Sequence, residues 1–111
     1  MENEFGLGDK NLAAIVGVLH SVRNVSRAII YGSRAKGNYR HNSDIDITLE
    51  GDGLTLTDLA ILDGKLDDLL LPWQFDLSIK SRITNAALLA EIDKYGKTVY
   101  ERETGPSPLT A

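Results

Sequence analysis

The chain contains no cysteine, which excludes a disulfide framework and any thiolate metal site. It also has no long apolar run: no window approaches the roughly 18 apolar residues that a membrane-spanning helix needs. The first ten residues, MENEFGLGDK, are acidic and without an apolar stretch, so no secretory signal is expected and the reading is a cytoplasmic protein. For the same reason the acceptor pattern NVS at 24–26 is not expected to be glycosylated. An excess of basic charge is missing too, with 12 Lys and Arg against 16 Asp and Glu and a net charge of −4. Binding a duplex or a long single strand depends on many lysine and arginine contacts to phosphate, so a polynucleotide substrate is disfavoured. The one local basic concentration, Arg34, Lys36, Arg40 and His41, suits a single small polyphosphate better. Internal repeats and low-complexity blocks are absent.

What is present describes one domain. A chain of 111 residues, 42% hydrophobic and 25% charged, can build one core and no second. Leu12, Ile15, Val16, Leu19 and Val22 recur at helical spacing and predict a helix over 9–23. RAIIYG (27–32) reads as a buried strand ending at glycine, SRAKG (33–37) as a short helical turn, and 38–43 as a polar loop. DIDITLE (44–50) alternates strictly and predicts a second strand. After the turn GDG (51–53), Thr55 with Asp58 three residues later marks a helix start, and Leu59, Leu62, Leu66 and Leu69 carry that helix to about residue 70. Pro72 stops it. WQFDLSI (73–79) is a third strand, Leu88, Leu89, Ile92 and Tyr95 mark a last helix closed by Gly96, and KTVYE (97–101) is a last strand. Residues 1–103 are expected to form the domain, and the tail from 104 to 111 has the composition of disorder.

The order α-β-α-β-α-β-α-β fits a small α/β (α+β) fold. Too few residues separate Tyr31 from Asp44 for a full crossover between parallel strands, which takes a dozen or more. A small mixed sheet with helices packed mainly on one face is therefore expected.

Within that frame, Asp44 and Asp46 stand two apart on a strand and project from the same face. Two carboxylates so close repel unless a cation intervenes, and hard oxygen ligands suit magnesium. Asp76 occupies the polar face of the third strand; if that strand neighbours the second, three carboxylates converge. Such a trio holding two magnesium ions is the equipment of phosphoryl or nucleotidyl transfer. Gly32 and Ser33 sit where a strand turns into a helix, so backbone N–H groups can face a phosphate. Arg34, Lys36 and Arg40 follow closely and are candidates to neutralise its outer phosphates. GSRAKGNY begins like a P-loop, but Asn38 and Tyr39 stand where the lysine and hydroxyl belong. An edge strand's solvent face would also explain Asp44 and Asp46 alone; Gly32-Ser33 ten residues upstream argues against it.

Gly32-Ser33, ten residues, then Asp44-x-Asp46 resembles the signature of the nucleotidyltransferase superfamily related to DNA polymerase β. More narrowly, YGSRAKG, NSDIDI and FDLSI resemble the minimal nucleotidyltransferase (MNT) antitoxins encoded beside HEPN-domain toxins. The resemblance spans about residues 9–101 and implies a polymerase β-like fold. It implies that Gly32 and Ser33 hold the triphosphate of ATP, that Asp44 and Asp46 bind metal, and that Asp76 is the third carboxylate and base. It further implies transfer of AMP to a tyrosine of a HEPN ribonuclease toxin, which silences the toxin. Two other readings stand beside it: a non-catalytic antitoxin that neutralises by covering its partner, and a small-molecule adenylyltransferase subunit of the aminoglycoside type. The elements leave nothing over for a second, acceptor-gripping domain, so another chain is expected to present the acceptor.

Other conspicuous residues read as structural. His41 is a loop residue and His20 a helix residue without a visible partner. Asp58, Asp63, Asp67 and Asp68 form a solvated helix face. Trp73, next to Pro72, is expected to pack at the core edge rather than against a base.

Overall fold

The computed structural model describes residues 5–40 and 42–102. His41 and the tail from 104 to 111 lie outside the described residues. Helix α1 spans Asp9–Ser21 and buries Ile15 and Leu19; it ends two residues before the predicted 23, where Val22 turns to extended backbone. Strand β1 (Arg27–Tyr31) leads through Gly32 into the one-turn helix α2 (Ser33–Lys36), which Gly37 closes in the left-handed region at φ 86°. Strand β2 is Ile45–Glu50. Helix α3 (Leu56–Asp67) starts at the predicted capping box, in which the Asp58 N–H donates to Thr55 Oγ1 and the Thr55 N–H donates to the Asp58 carboxylate. Strand β3 is Phe75–Ile79, beginning two residues later than the sequence suggests, and an unanticipated 3₁₀ turn, Lys80–Arg82, follows it. Helix α4 (Ala86–Tyr95) is capped by Asn85, and strand β4 is Lys97–Glu101.

The four strands lie in the order β3-β2-β1-β4. β1 is antiparallel to β2 and to β4, while β2 and β3 run parallel with α3 as their crossover. The short link between β1 and β2 thus joins antiparallel neighbours, as its length requires. Ala28, Ile30, Ile45, Ile47 and Leu49 bury one sheet face against Ile15 and Leu19 of α1 and Leu62 and Leu66 of α3. Ala35 of α2 packs on the same cluster. The opposite face is covered only in part: Ile29 and Tyr31 of β1 pack on Ile92 and Leu88 of α4. That half-covered face carries the even-numbered polar residues of β2 and β3.

Gly96 fills its place for a reason other than the expected one. Its backbone is extended, at φ −62° and ψ 144°. A Cβ there would run into the carbonyl of Ile92 and come within 2.8 Å of Ile29 Cγ2, so close approach of chain segments, not a left-handed cap, demands glycine. No described helix is long and apolar enough to cross a membrane.

Candidate active site

The pleat decides which side chains meet. In the register of β2 and β3, Asp46 lies directly opposite Asp76, and Thr48 opposite Ser78. On its other side Asp46 pairs with Tyr31 of β1. Asp44 stands one residue before β2 and is exposed, and Asp76 is exposed on the edge strand. Asp46 is half-buried, and its carboxyl is pushed up from 3.8 to about 6, first by burial, then by the charges of Asp76, Asp44 and Glu91. Both causes disfavour the ionised form: burial strips the carboxylate of water, and the neighbouring carboxylates repel it.

Gly32 brings the β1–α2 turn onto this carboxylate. Its φ of 75° and ψ of −153° are disfavoured for residues with a side chain. A Cβ at this position would also strike the Asp46 carboxylate oxygen. The carbonyl of Gly32 then accepts from Ala35 and Lys36 N–H at 3.1 and 3.0 Å, which reverses the chain with Ser33 at its bend. The turn of Gly32-Ser33 and the acids of β2 are therefore neighbours in space as well as in the pattern.

The three basic candidates part company. Arg34 does not reach into solvent: it is 1% exposed, and its guanidinium donates to the carbonyls of Phe5 (3.1 Å) and Ser43 (3.0 Å). It also lies 4.7 Å from the Tyr39 ring centroid and 5.4 Å from that of Trp73. This departs from the expected phosphate contact, because the planar fork finds acceptors and aromatic faces inside the protein. Lys36 pairs with Glu91 of α4 at 2.7 Å and lies 5.2 Å over the Tyr95 ring; Glu91 holds its ammonium above the usual lysine range. Arg40 is exposed, with its backbone N–H donating to Ser43 Oγ at 2.7 Å.

Two residues near the acids were not singled out from the sequence. Glu91 adds a fourth negative charge felt by both Asp46 and Tyr31. A signal for it existed, since Leu88, Glu91, Ile92 and Tyr95 share one helical stripe and a carboxylate there interrupts the apolar face. Tyr31 is buried, and burial first, then the charges of Asp46, Asp76 and Glu91, push its phenol up, against a hydrogen bond with Ser78 that lowers it. Ser78 Oγ in turn donates to Thr48 Oγ1 at 3.0 Å beneath the acids. Trp73 packs at the core edge as expected, whereas His20 does have a partner, with Nδ1 3.1 Å from the Tyr100 hydroxyl.

Among the described residues, no group of three or more His, Asp, Glu or Cys side chains stands in an arrangement that could hold a metal ion. The chemistry of the donor set nevertheless suits magnesium: all the candidate donors are carboxylate oxygens, and the charges of Asp76, Asp44 and Glu91 add to burial in raising the Asp46 carboxyl. A groove lined by Asp63, Leu66, Trp73 and Phe75 among others opens elsewhere: Phe75 and Asp76 alternate to opposite sheet faces.

The sequence profile of the family "Polymerase beta, Nucleotidyltransferase" matches residues 13–105. The chain belongs to this nucleotidyltransferase family. Comparison with curated proteins finds no match. Solved structures share the nucleotidyltransferase fold. One is a chain of a toxin–antitoxin pair with AMP-PNP, 23% identical, with a TM-score of 0.69 over 84% of this chain and 75% of the other. A second belongs to tri-AMPylated Shewanella oneidensis HEPN toxin in complex with MNT antitoxin, 20% identical, TM-score 0.63, covering 84% and 71%. A third, a putative nucleotidyltransferase from Sulfolobus solfataricus, is 24% identical with a TM-score of 0.53, covering 85% and 81%.

Proposed function

We propose that this nucleotidyltransferase is the antitoxin of a toxin–antitoxin pair and transfers AMP from Mg-ATP to a tyrosine hydroxyl of a HEPN ribonuclease, silencing it. The observation that carries the reading is the direct pairing of Asp46 with Asp76 beside the Gly32-Ser33 turn. The likeness in fold to MNT antitoxins, one of them beside an AMPylated toxin, supports the acceptor class.

In this reading Gly32 and Ser33 receive the β- and γ-phosphates, with the exposed Lys36 and Arg40 nearby as counter-charges. Asp44, Asp46 and Asp76 would hold the magnesium, two ions being the number such a trio accommodates. When bound, magnesium supplies neutralising positive charge at the reacting phosphate. Asp76, exposed on the edge strand, accepts the proton of the incoming hydroxyl. That oxygen bonds to the α-phosphorus, the bond to the β-phosphate breaks, and pyrophosphate departs. An added nucleotide on the ribonuclease places negative charge where RNA phosphates must bind, and so blocks it.

The test incubates the protein with the product of its neighbouring gene, magnesium and ATP labelled at the α-phosphate, beside an Asp44→Asn/Asp46→Asn variant. Label is expected on the partner and is expected to fall by roughly a hundredfold or more in the variant. Full neutralisation by the variant without label would instead mean that the antitoxin acts by covering its partner.

A further inference from the structure

We infer that Arg34 is the positioning residue of the site: its buried guanidinium fixes the Gly32-Ser33 turn, Asp44-x-Asp46 and the strand of Asp76 relative to one another without touching substrate. The inference rests on the proposed function for its meaning and on four contacts for its substance. Arg34 is the largest fully buried side chain among the described residues. A charge taken out of water is costly unless acceptors and polarisable faces replace the lost hydration. Here carbonyls and ring faces take that place, and they come from three segments: Phe5, the loop that carries Tyr39 and Ser43, and Trp73 before β3.

Arg34 itself follows Ser33 in α2. One guanidinium nitrogen donates to the carbonyl of Ser43, the residue immediately before Asp44. Another donates to the carbonyl of Phe5, whose segment is pinned in turn by Tyr39 lying over Gly6. One flank of the guanidinium has the Tyr39 ring at 4.7 Å and another the Trp73 ring at 5.4 Å. Trp73 leads into β3 three residues before Asp76, where Ile45 N–H donates to the carbonyl of Gln74 at 2.9 Å. Asp44 lies outside the ladder of β2 and is exposed, so its placement depends on the residue before it. A lysine cannot supply this role, because an ammonium lacks the planar fork and stacks poorly.

The test uses the full chain and the variant Arg34→Lys, which keeps the charge. Without ligand, amide hydrogen exchange at residues 39–46 is expected to accelerate roughly tenfold while β4 exchanges as before. By calorimetry, Mg-ATP affinity is expected to weaken about tenfold on Arg34→Lys, but less than about twofold when the same change is made in Asp44→Asn, since the acid it positions is then already lost. Should Arg34→Lys fail to fold by circular dichroism, Tyr39→Leu, which removes one face of the stack, is expected to give the same local acceleration. Unchanged exchange at 39–46 in whichever of these variants folds overturns the proposal. Equal loss of Mg-ATP affinity in both Asp44 backgrounds overturns it as well, being the mark of a direct phosphate contact or a general weakening. A wild-type protein that binds no Mg-ATP contradicts the proposed function instead, and the exchange measurement then decides the role of Arg34 alone.

Discussion

At Asp46, burial and the carboxylates of Asp76, Asp44 and Glu91 lift the pKa from 3.8 to about 6. Between these values the native state binds more protons than the unfolded chain. Stability from this group is therefore complete below about pH 4 and is lost as pH rises through about 6, an effect of about 1 kcal/mol after allowance for solvent at a half-exposed group. Thermal melts of the ligand-free protein are expected to show this decline, and Asp46→Asn to abolish it and melt higher at about pH 7. At Gly32 a second outcome is expected. Gly32→Ala meets both a positive φ and the Asp46 carboxylate, so it should lose about 1–3 kcal/mol of stability in denaturant titration and the response to Mg-ATP with it. The acids and the glycine were legible because pleat alternation and strand-to-helix turns are local properties of sequence. Arg34 was not: a basic residue in a polar-looking loop reads the same whether it faces water or two carbonyls and two rings.

Elements were legible in proportion to how local their determinants are. The capping box of α3 is written in Thr55 and Asp58 alone, and it forms. Thr55→Ala should cost about 1 kcal/mol by chemical denaturation and leave AMP transfer unchanged, since α3 packs on the sheet face away from the acids. The antiparallel pairing of β1 with β2 followed from the shortness of the link between them. Less local features were missed. β3 starts at Phe75 because its ladder begins where β2 offers Ile45 as partner, and no propensity within Trp73 or Gln74 reveals that. The 3₁₀ turn at Lys80–Arg82 and the close packing at Gly96 likewise depend on tertiary neighbours. α4 packs on β1 on the site face, while Asp76 on the edge strand stays exposed, and α4 brings Glu91 to the acids from a distant part of the chain.

The whole molecule is a mixed four-stranded sheet with a closed apolar side and a half-open polar one. An open acidic shelf beside a tight turn stores electrostatic repulsion, which the magnesium and nucleotide of the proposed function would relieve. A ligand that binds only the folded state must raise its melting temperature, so saturating Mg-ATP is expected to raise it, and by more at about pH 7, where Asp46 is ionised, than at about pH 5. A shift that is equal at both values would separate nucleotide binding from the acids. An open edge at Asp76 leaves room for the proposed acceptor, a hydroxyl of a second protein, to approach.

The decisive measurement is intact-mass analysis of the proposed HEPN partner, purified after co-expression with the wild-type chain or with Asp46→Asn. Partner carrying one or more AMP groups is expected with the wild type, and unmodified partner with the variant. Unmodified partner in both cases, with toxicity nonetheless silenced, would contradict it.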